Sequence, residues 1–562
     1  MSDRKTVVDW AAHWEKTSPD RLHFIQPLGG GSTNVLTWTF AQAVREARRM
    51  AAYLFRLNLP PKSRIAICSK NCAHWILADW AIWMADHVSV PVYPNLNSGS
   101  VRYILEHSDA RLLFVGKLDP IWDEMKQGVP PGVLRVSFPL APSSADPRWA
   151  DLVAQHEPLG DLPQRAFAEL ATIVYTSGST GQPKGVMLSF GAMAAATAGI
   201  CQLLELGPAD RLLSYLPLAH TMERWIAGCA STQAPFQVFF SESQETFLQD
   251  LRRARPTLFL SVPRLWLKFQ AGVLRELPAK RLNRLLDLPI LGGITKRKVL
   301  KGLGLDAVRI AGSGSAPLPE ELATWYRKLG LELLEGYGMT ENFNYSHNNR
   351  RGQVRVGYVG SPYDGVQCRI SAEGEILVKS PGSMLGYWKQ PDETRAAFSA
   401  DGFLRTGDCG SIDELGRLRI TGRIKEIFKT SKGKYVAPAP IENLIVQHPC
   451  VEQCCVSGAG RPQPYVLVVL KKEARNAVAA GGKAQIESEL SAELERVNQG
   501  LEAHEQLQFA CVVKDEWLTE SGFLTPSLKI KRARIEEAYL PYVDGWYAQR
   551  RKLVWADAKL AS

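Results

Sequence analysis

No segment of this 562-residue chain is apolar for long enough to cross a bilayer. The most apolar window, Trp75–Tyr93, is interrupted by Asp79, Asp86 and His87. The opening residues, MSDRKTVVDW, are polar and read as no secretory signal. These absences fit a cytoplasmic protein, or one peripheral on the inner face of a membrane. The ten cysteines are scattered and include no C-x-x-C pair, which suits reduced thiols rather than a disulfide framework. His448, Cys450, Cys454 and Cys455 lie close in sequence, but adjacent cysteines hinder each other as ligands. The run VEQCCVSG therefore reads as a buried strand ending in a glycine turn. Internal repeats are missing too. Acid is in short supply, with 57 Asp and Glu against 67 Lys and Arg, a net charge of +10 and a pI near 9.0. Such a surplus suits polyanionic substrates, nucleic acid or an anionic membrane. Many of the cations fall between Arg252 and Lys301, a stretch with few base-stacking aromatics and no nucleic-acid motif. A solvated helical face is the first reading of that stretch, and a membrane-docking patch the second. Nucleic acid is not expected as a partner.

What is present begins with Tyr175–Gly185, YTSGSTGQPKG. Two threonines, two serines, three glycines and one lysine share eleven positions. Glycines let backbone approach an anion closely, and successive free N–H groups form an anion-binding concavity. The hydroxyls add donors, and Lys184 adds a point charge. A Walker A loop reads G-x-x-x-x-G-K-[ST]. Here Pro183 stands at the sixth position counted from Gly178, and Gly185 follows the lysine. Proline has no N–H to offer a phosphate, so this is a phosphate loop of another kind.

The surrounding pattern is α/β. Val44, Ala47, Ala51 and Leu54 give Phe40–Leu57 the spacing of an amphipathic helix. Strands are expected at 63–68, 88–93 and 111–115, with a helix over 75–84. Alternation of this kind implies a parallel sheet. A proline-rich, polar stretch over 139–163 reads as a loop leading into a strand at 171–175, so the phosphate loop follows a strand. From Gly360, turn signals such as Glu373-Gly374 and Leu415-Gly416 mark a β-rich subdomain. About 140 residues after Gly422 are enough for a small α+β domain.

The loop resembles the phosphate signature of the adenylate-forming superfamily. Further segments resemble that superfamily in order: GYGMTE at Gly336–Glu341, FLRTGD at Phe403–Asp408, GRIKE at Gly422–Glu426 and LTPSLKIKR at Leu524–Arg532. LSYLPLAHTMER at Leu213–Arg224, RPTLFLSVPRLW at Arg255–Trp266 and TSKGKYVAPAPIEN at Thr430–Asn443 look most like bacterial long-chain fatty acyl-CoA synthetases. The resemblance implies a large N-terminal domain, residues 1–424, and a small mobile α+β domain, residues 425–562. It implies ATP, Mg²⁺ and CoA, and an acid that passes through an acyl-adenylate to a thioester. It permits a homodimer and peripheral membrane contact. Rival readings are a free-standing ligase that loads a carrier protein, and a silent lipid- or nucleotide-binding protein.

Residue roles come with the same resemblance. Thr176, Ser177, Gly178, Ser179, Thr180, Gly181 and Lys184 would hold the β- and γ-phosphates. Gly312, Ser313, Gly314 and Ser315 would wall the adenine slot opposite Glu335, Gly336, Tyr337 and Gly338. Thr340 would donate to the α-phosphate, and Glu341 would bind the metal. Asp408 would accept the ribose hydroxyls, with Arg423 beside the sugar and Lys434 also toward the nucleotide. Lys529 would carry adenylation, bridging carboxylate and α-phosphate. Lys425 would be the hinge, followed by Glu426 where aspartate is commoner. His220 would line the acyl and pantetheine passage, and Trp225 its tunnel. Asn342, Phe343, Asn344 and Tyr345 are bulkier than the residues usual after the metal-binding glutamate.

Overall fold

The computed structural model describes residues 5–29, 34–142, 146–176, 182–519, 521–525 and 529–556. The chain divides into two units: Met1–Cys368 with Val378–Leu404, and Arg369–Leu377 with Arg405–Ser562.

In the first unit the helix Ala73–Met84 explains much of the packing. All twelve of its residues are buried. A helix buried on all faces must be covered on every side. It is covered by the helix Phe40–Arg56, by the helix Val7–Thr17 and by strands of two sheets. One runs, in spatial order, Gly386–Tyr387, Lys184–Ser189, Leu170–Thr176, Val88–Val92, Arg64–Cys68, Ala110–Val115 and Leu134–Ser137. The other has nine strands, with Leu333–Tyr337, Ile310–Ser313, Leu258–Ser261 and Arg211–Ser214 consecutive at its centre. Trp83 donates its indole N–H to the Ala171 carbonyl at 2.8 Å, and Trp80 stacks on His23 at 6.0 Å. The amphipathic helix is Phe40–Arg56, opened by a capping box between Thr39 and Gln42.

The expected parallel strands are there: Arg64–Cys68 runs parallel to both Val88–Val92 and Ala110–Val115. After the phosphate loop, however, the chain returns antiparallel. Leu170–Thr176 pairs with Lys184–Ser189, Thr176 opposite Lys184. One expectation fails: the stretch expected to be loop holds a helix, Trp149–Gln155. Its apolar residues Trp149, Leu152 and Val153 repeat at helical spacing, and Trp149 donates to Glu46 at 2.7 Å from a buried position. Proline content masked that short period.

The second unit is α+β. The strands Val451–Ser457, Tyr465–Leu470, Ala510–Val513 and Leu553–Trp555 form one sheet. Side chains alternate between its faces. Cys454 points into a core with Ile441, Leu490 and Leu494, whereas its neighbour Cys455 points into another with Ile535, Tyr539 and Trp546. Adjacent cysteines on a strand face opposite ways, and none of the ten cysteines forms a disulfide. A second sheet, Gln367–Ile370, Glu375–Lys379, Leu404–Ile412 and Leu418–Arg423, is the β-rich segment.

Candidate active site

The site residues of the first unit lie at strand ends. Ile310–Ser313 and Leu333–Tyr337 are parallel neighbours, with Gly312 opposite Leu334 and Ser313 opposite Glu335. This pairing brings GSGSA beside GYG. A Cβ on Gly314 would sit 3.5 Å from the Gly336 carbonyl oxygen. Ser315 follows at φ +68°, a left-handed turn. The Ser313 hydroxyl is buried with no hydrogen-bond partner. A buried orphan hydroxyl is costly unless something else bonds it. Glu335 is already committed: its Oε1 accepts from the Leu318 N–H at 2.9 Å, holding the loop after Ser315. Burial raises its carboxyl to about 7. Tyr337 leans on His347, ring centroids 6.2 Å apart.

Beyond Tyr337 the chain reverses sharply. A Cβ on Gly338 would come within 2.5 Å of the Asn344 backbone, so this position admits only glycine. The reversal holds Thr340 and Glu341 in a single turn of 3₁₀-helix, Thr340–Asn342, followed by Phe343 and Asn344 at φ +48° and +60°.

The strip Met384–Trp388 joins this turn to the phosphate-loop hairpin. Its Met384 N–H bonds the Glu341 carbonyl at 2.7 Å, and its Trp388 N–H bonds the Gly185 carbonyl at 2.7 Å. Between them Tyr387 donates its hydroxyl to Glu341 Oε1 at 2.9 Å. The Lys184 ammonium lies over the same tyrosine ring, 5.0 Å from its centroid. Lys184 also pairs with Glu393. Thus Lys184 and Glu341, 157 positions apart by their numbers, share one aromatic side chain. A carboxylate oriented by a hydroxyl donor suits a hard divalent cation such as Mg²⁺. Of the phosphate-loop residues, Ser177, Gly178, Ser179, Thr180 and Gly181 lie outside the described residues; Thr176 and Lys184 flank them.

His220 caps the short helix Thr221–Glu223: its Nδ1 accepts the Met222 N–H at 3.1 Å, which leaves the proton on Nε2. Four residues on, Arg224 is buried and grips Asp79 through two bonds, at 2.8 and 2.6 Å, while bonding Thr172 and Ser89 at 2.6 Å each. That grip fixes the His220 segment to the strand feeding the phosphate loop. Trp225 is buried among Phe343, Tyr345 and Tyr363, with centroids 6.0–6.3 Å away.

The second unit groups the remaining candidates. Asp408 stands opposite Arg423 in the strand pair, and Arg423 Nε donates to Asp408 Oδ1 at 3.0 Å. Thr406 Oγ1 accepts the Asp408 N–H at 3.1 Å, and Gly407 between them takes φ +71°. Lys425 is exposed in the turn directly after Leu418–Arg423. Lys434 is exposed in the hairpin whose carbonyl bonds the Thr430 N–H at 2.8 Å. Lys529 is held by Thr525: its N–H bonds Thr525 Oγ1 at 3.0 Å and its carbonyl accepts the Thr525 N–H at 2.8 Å. Arg532, three residues on, bonds Glu442 at 2.8 Å and the Val456 carbonyl at 2.6 Å. The Lys529 ammonium is pushed below the ordinary lysine value, by desolvation first and by Arg423 next, with Asp408 and Glu426 opposing. The Lys529 ammonium therefore feels the charges of Arg423 and Asp408.

Sequence reasoning missed Tyr387 and Glu393. Neither lies in a glycine-rich or charged motif, and no local period marks them.

A large α/β unit with strand-end loops, together with a smaller α+β unit carrying a late lysine, is the architecture of an adenylate-forming enzyme. The chain belongs to the AMP-binding enzyme family: residues 11–388 match that family, and residues 425–551 match the AMP-binding enzyme C-terminal domain. It is 30% identical to the long-chain-fatty-acid–CoA ligase FadD15 of Mycobacterium bovis, over 97% of this chain and 98% of that protein. It is 29% identical to the peroxisomal long chain acyl-CoA synthetase 6 of Arabidopsis thaliana, over 92% and 83% of the two chains. The fold is also that of the A domain of a carboxylic acid reductase from Segniliparus rugosus, solved with AMP and a co-purified carboxylic acid; the TM-score is 0.79 at 21% identity, covering 97% of this chain and 94% of that one.

Proposed function

We propose that this protein is an ATP-dependent fatty acid–CoA ligase that activates a long-chain carboxylic acid. The acid's carboxylate attacks the α-phosphorus of ATP, giving acyl-adenylate and pyrophosphate. The CoA thiol then attacks the acyl carbon, AMP leaves, and a proton is released. The observation that carries this reading is the Lys184–Tyr387–Glu341 string, which places a cation and a carboxylate on one side chain between the phosphate loop and the GYGMTE turn.

The first half-reaction brings two anions together, so fixed donors and cations must lower their repulsion. Thr176 and Lys184, with the intervening loop residues, hold the β- and γ-phosphates and the leaving pyrophosphate. Thr340 donates to the α-phosphate. Glu341 holds magnesium, whose positive charge, when bound, offsets the charge of the phosphates. Gly312–Ser315 and Glu335–Gly338 flank the adenine, where the Ser313 hydroxyl has a bond to give. Asp408 accepts the ribose diol, and Arg423 and Lys434 lie toward the nucleotide. Lys529 bridges carboxylate and α-phosphate, a positioning task for a cation whose proton is already loosened. Residues 425–562 move as a domain about Lys425 between the two half-reactions, withdrawing Lys529 before CoA attacks. His220 lines the thiol's approach. Membrane contact of a peripheral kind, a homodimer and a cytoplasmic location belong to the same reading.

The test is ATP–pyrophosphate exchange across acids from acetate to long-chain and aromatic, with and without CoA. A long-chain optimum with acyl-CoA product is expected. Exchange without CoA product would reassign the protein to carrier loading, and no exchange with any acid would overturn the reading.

A further inference from the structure

The helices Ala279–Leu286 and Pro289–Leu303 form a hairpin on the first unit. Its closeness depends on Gly292, whose Cβ would fall 2.5 Å from the Leu286 carbonyl oxygen. The second helix has two opposed faces. Val299, Leu300 and Leu303 pack toward a core that contains Leu251, Trp266 and Tyr326. The other face carries Ile290, Leu291, Ile294, Arg297, Lys298 and Lys301. Steps of one, four, seven, eight and eleven from Ile290 keep these six within about a third of the helical circle.

That outer face is unusual. Ile290 is 79% exposed and Ile294 59%, and Leu288 and Leu291 are exposed beside them. The core demand of the helix is met by its inner face, so folding does not require these residues. Contiguous exposed apolar surface marks a contact site. The charge pattern says what kind. Lys280, Arg281, Arg284, Lys296, Arg297, Lys298 and Lys301 stand in the hairpin against the single carboxylate of Asp287. Among the described residues none of those seven forms an ion pair. An apolar tip beside unpaired cations complements an anionic interface with an apolar interior.

We propose that this hairpin docks the protein on an anionic phospholipid bilayer, with Leu288, Ile290, Leu291 and Ile294 entering the acyl boundary and Arg297, Lys298 and Lys301 meeting headgroup phosphates. The proposal rests on the fatty-acid reading for its purpose, since such acids partition into bilayers. Its geometry does not depend on that reading, and binding is measurable without catalysis.

The experiment is flotation of the full-length protein with vesicles of phosphatidylcholine containing phosphatidylglycerol, against vesicles of phosphatidylcholine alone. The wild type should float with the anionic vesicles and be released by salt. Arg297→Gln/Lys298→Gln/Lys301→Gln should weaken binding on the order of a hundredfold. Ile290→Ser/Ile294→Ser should weaken it about tenfold. Both variants should keep wild-type exchange with a water-soluble acid, and undiminished binding by the cation variant overturns the proposal. An unbound wild type overturns the proposal. Undiminished binding by the isoleucine variant overturns it in favour of adsorption by charge alone. A dimer in the absence of vesicles that the isoleucine variant dissociates overturns it in favour of a second copy of the chain. Flotation without exchange would reject the fatty-acid reading and leave the docking surface standing.

Discussion

Tyr387 shows how much one side chain outside every motif can decide. Its hydroxyl aims the Glu341 carboxylate and its ring faces the Lys184 ammonium. Tyr387→Phe keeps the ring and deletes the bond. A partner that orients a metal ligand is worth about tenfold or more in metal affinity. The expected result is a similar rise in the magnesium concentration for half-maximal exchange, with the maximal rate much less affected; an unaltered magnesium titration would remove Tyr387 from this role. In the proposed reaction Lys529 contributes its positive charge. Lys529→Ala should cut carboxylate-dependent pyrophosphate release at least about a hundredfold. It should spare thioester formation from supplied acyl-adenylate, and equal loss of both halves would contradict the assignment. The phosphate loop was readable because glycine, hydroxyl and lysine in one loop have few other uses, and the remaining motifs were readable through family resemblance. Tyr387 and Glu393 were not, because their roles exist only once Gly386–Tyr387 pairs with Lys184–Ser189.

At the scale of elements, the turn after Leu418–Arg423 matters most. It is short and exposed, and Lys425 lies within it, ahead of the hairpin Phe428–Lys429 with Tyr435–Val436. Hinges are a few residues that absorb large dihedral changes. Lys425→Pro fixes φ there. It should leave exchange near normal and slow thioester formation about tenfold. Single-turnover assays of each half-reaction check this, and a matched fall in both would reject a hinge at Lys425. Elements with a long clear period, such as Phe40–Arg56, match their sequence reading to within a residue. The helix Trp149–Gln155 escaped it because seven residues are too few for periodicity to outweigh flanking prolines. The return of the chain as an antiparallel strand after the phosphate loop was equally invisible, since pairing partners are set by tertiary contacts.

For the molecule as a whole, burial of ionisable groups makes stability depend on pH. Glu223 is buried, its Oε1 has no hydrogen-bond partner, and burial lifts its carboxyl from 4.5 to about 8. Below about 4.5 both folded and unfolded chains hold the proton. Between there and about 8 only the folded chain holds it, so rising pH favours unfolding. The slope is at most about 1.4 kcal/mol per pH unit. Glu223→Gln mimics the neutral acid and should abolish this component. Relative to the variant, the wild-type Tm should fall as pH rises from 5 toward 8, as scanning calorimetry would measure; parallel curves would show that Glu223 is charged in the fold.

Local residue patterns set the chemical vocabulary of this protein. The phosphate loop is a local pattern, legible from its glycines, hydroxyls and lysine; the roles of Thr340, Glu341, Asp408 and Lys529 were expected only through the resemblance to the adenylate-forming superfamily. Hydrophobic period also carried the α/β character, while the small C-terminal α+β segment was expected from its length and from the resemblance. Which of those residues meet is fixed by the folded chain. Strand pairing sets Thr176 against Lys184, Ser313 against Glu335 and Asp408 against Arg423. The folded chain also decides that Ile290 and Ile294 face solvent while Leu303 faces the core. The reason is physical. A residue's type fixes what it can bond, whereas its partner is fixed by long-range packing, which no local pattern encodes.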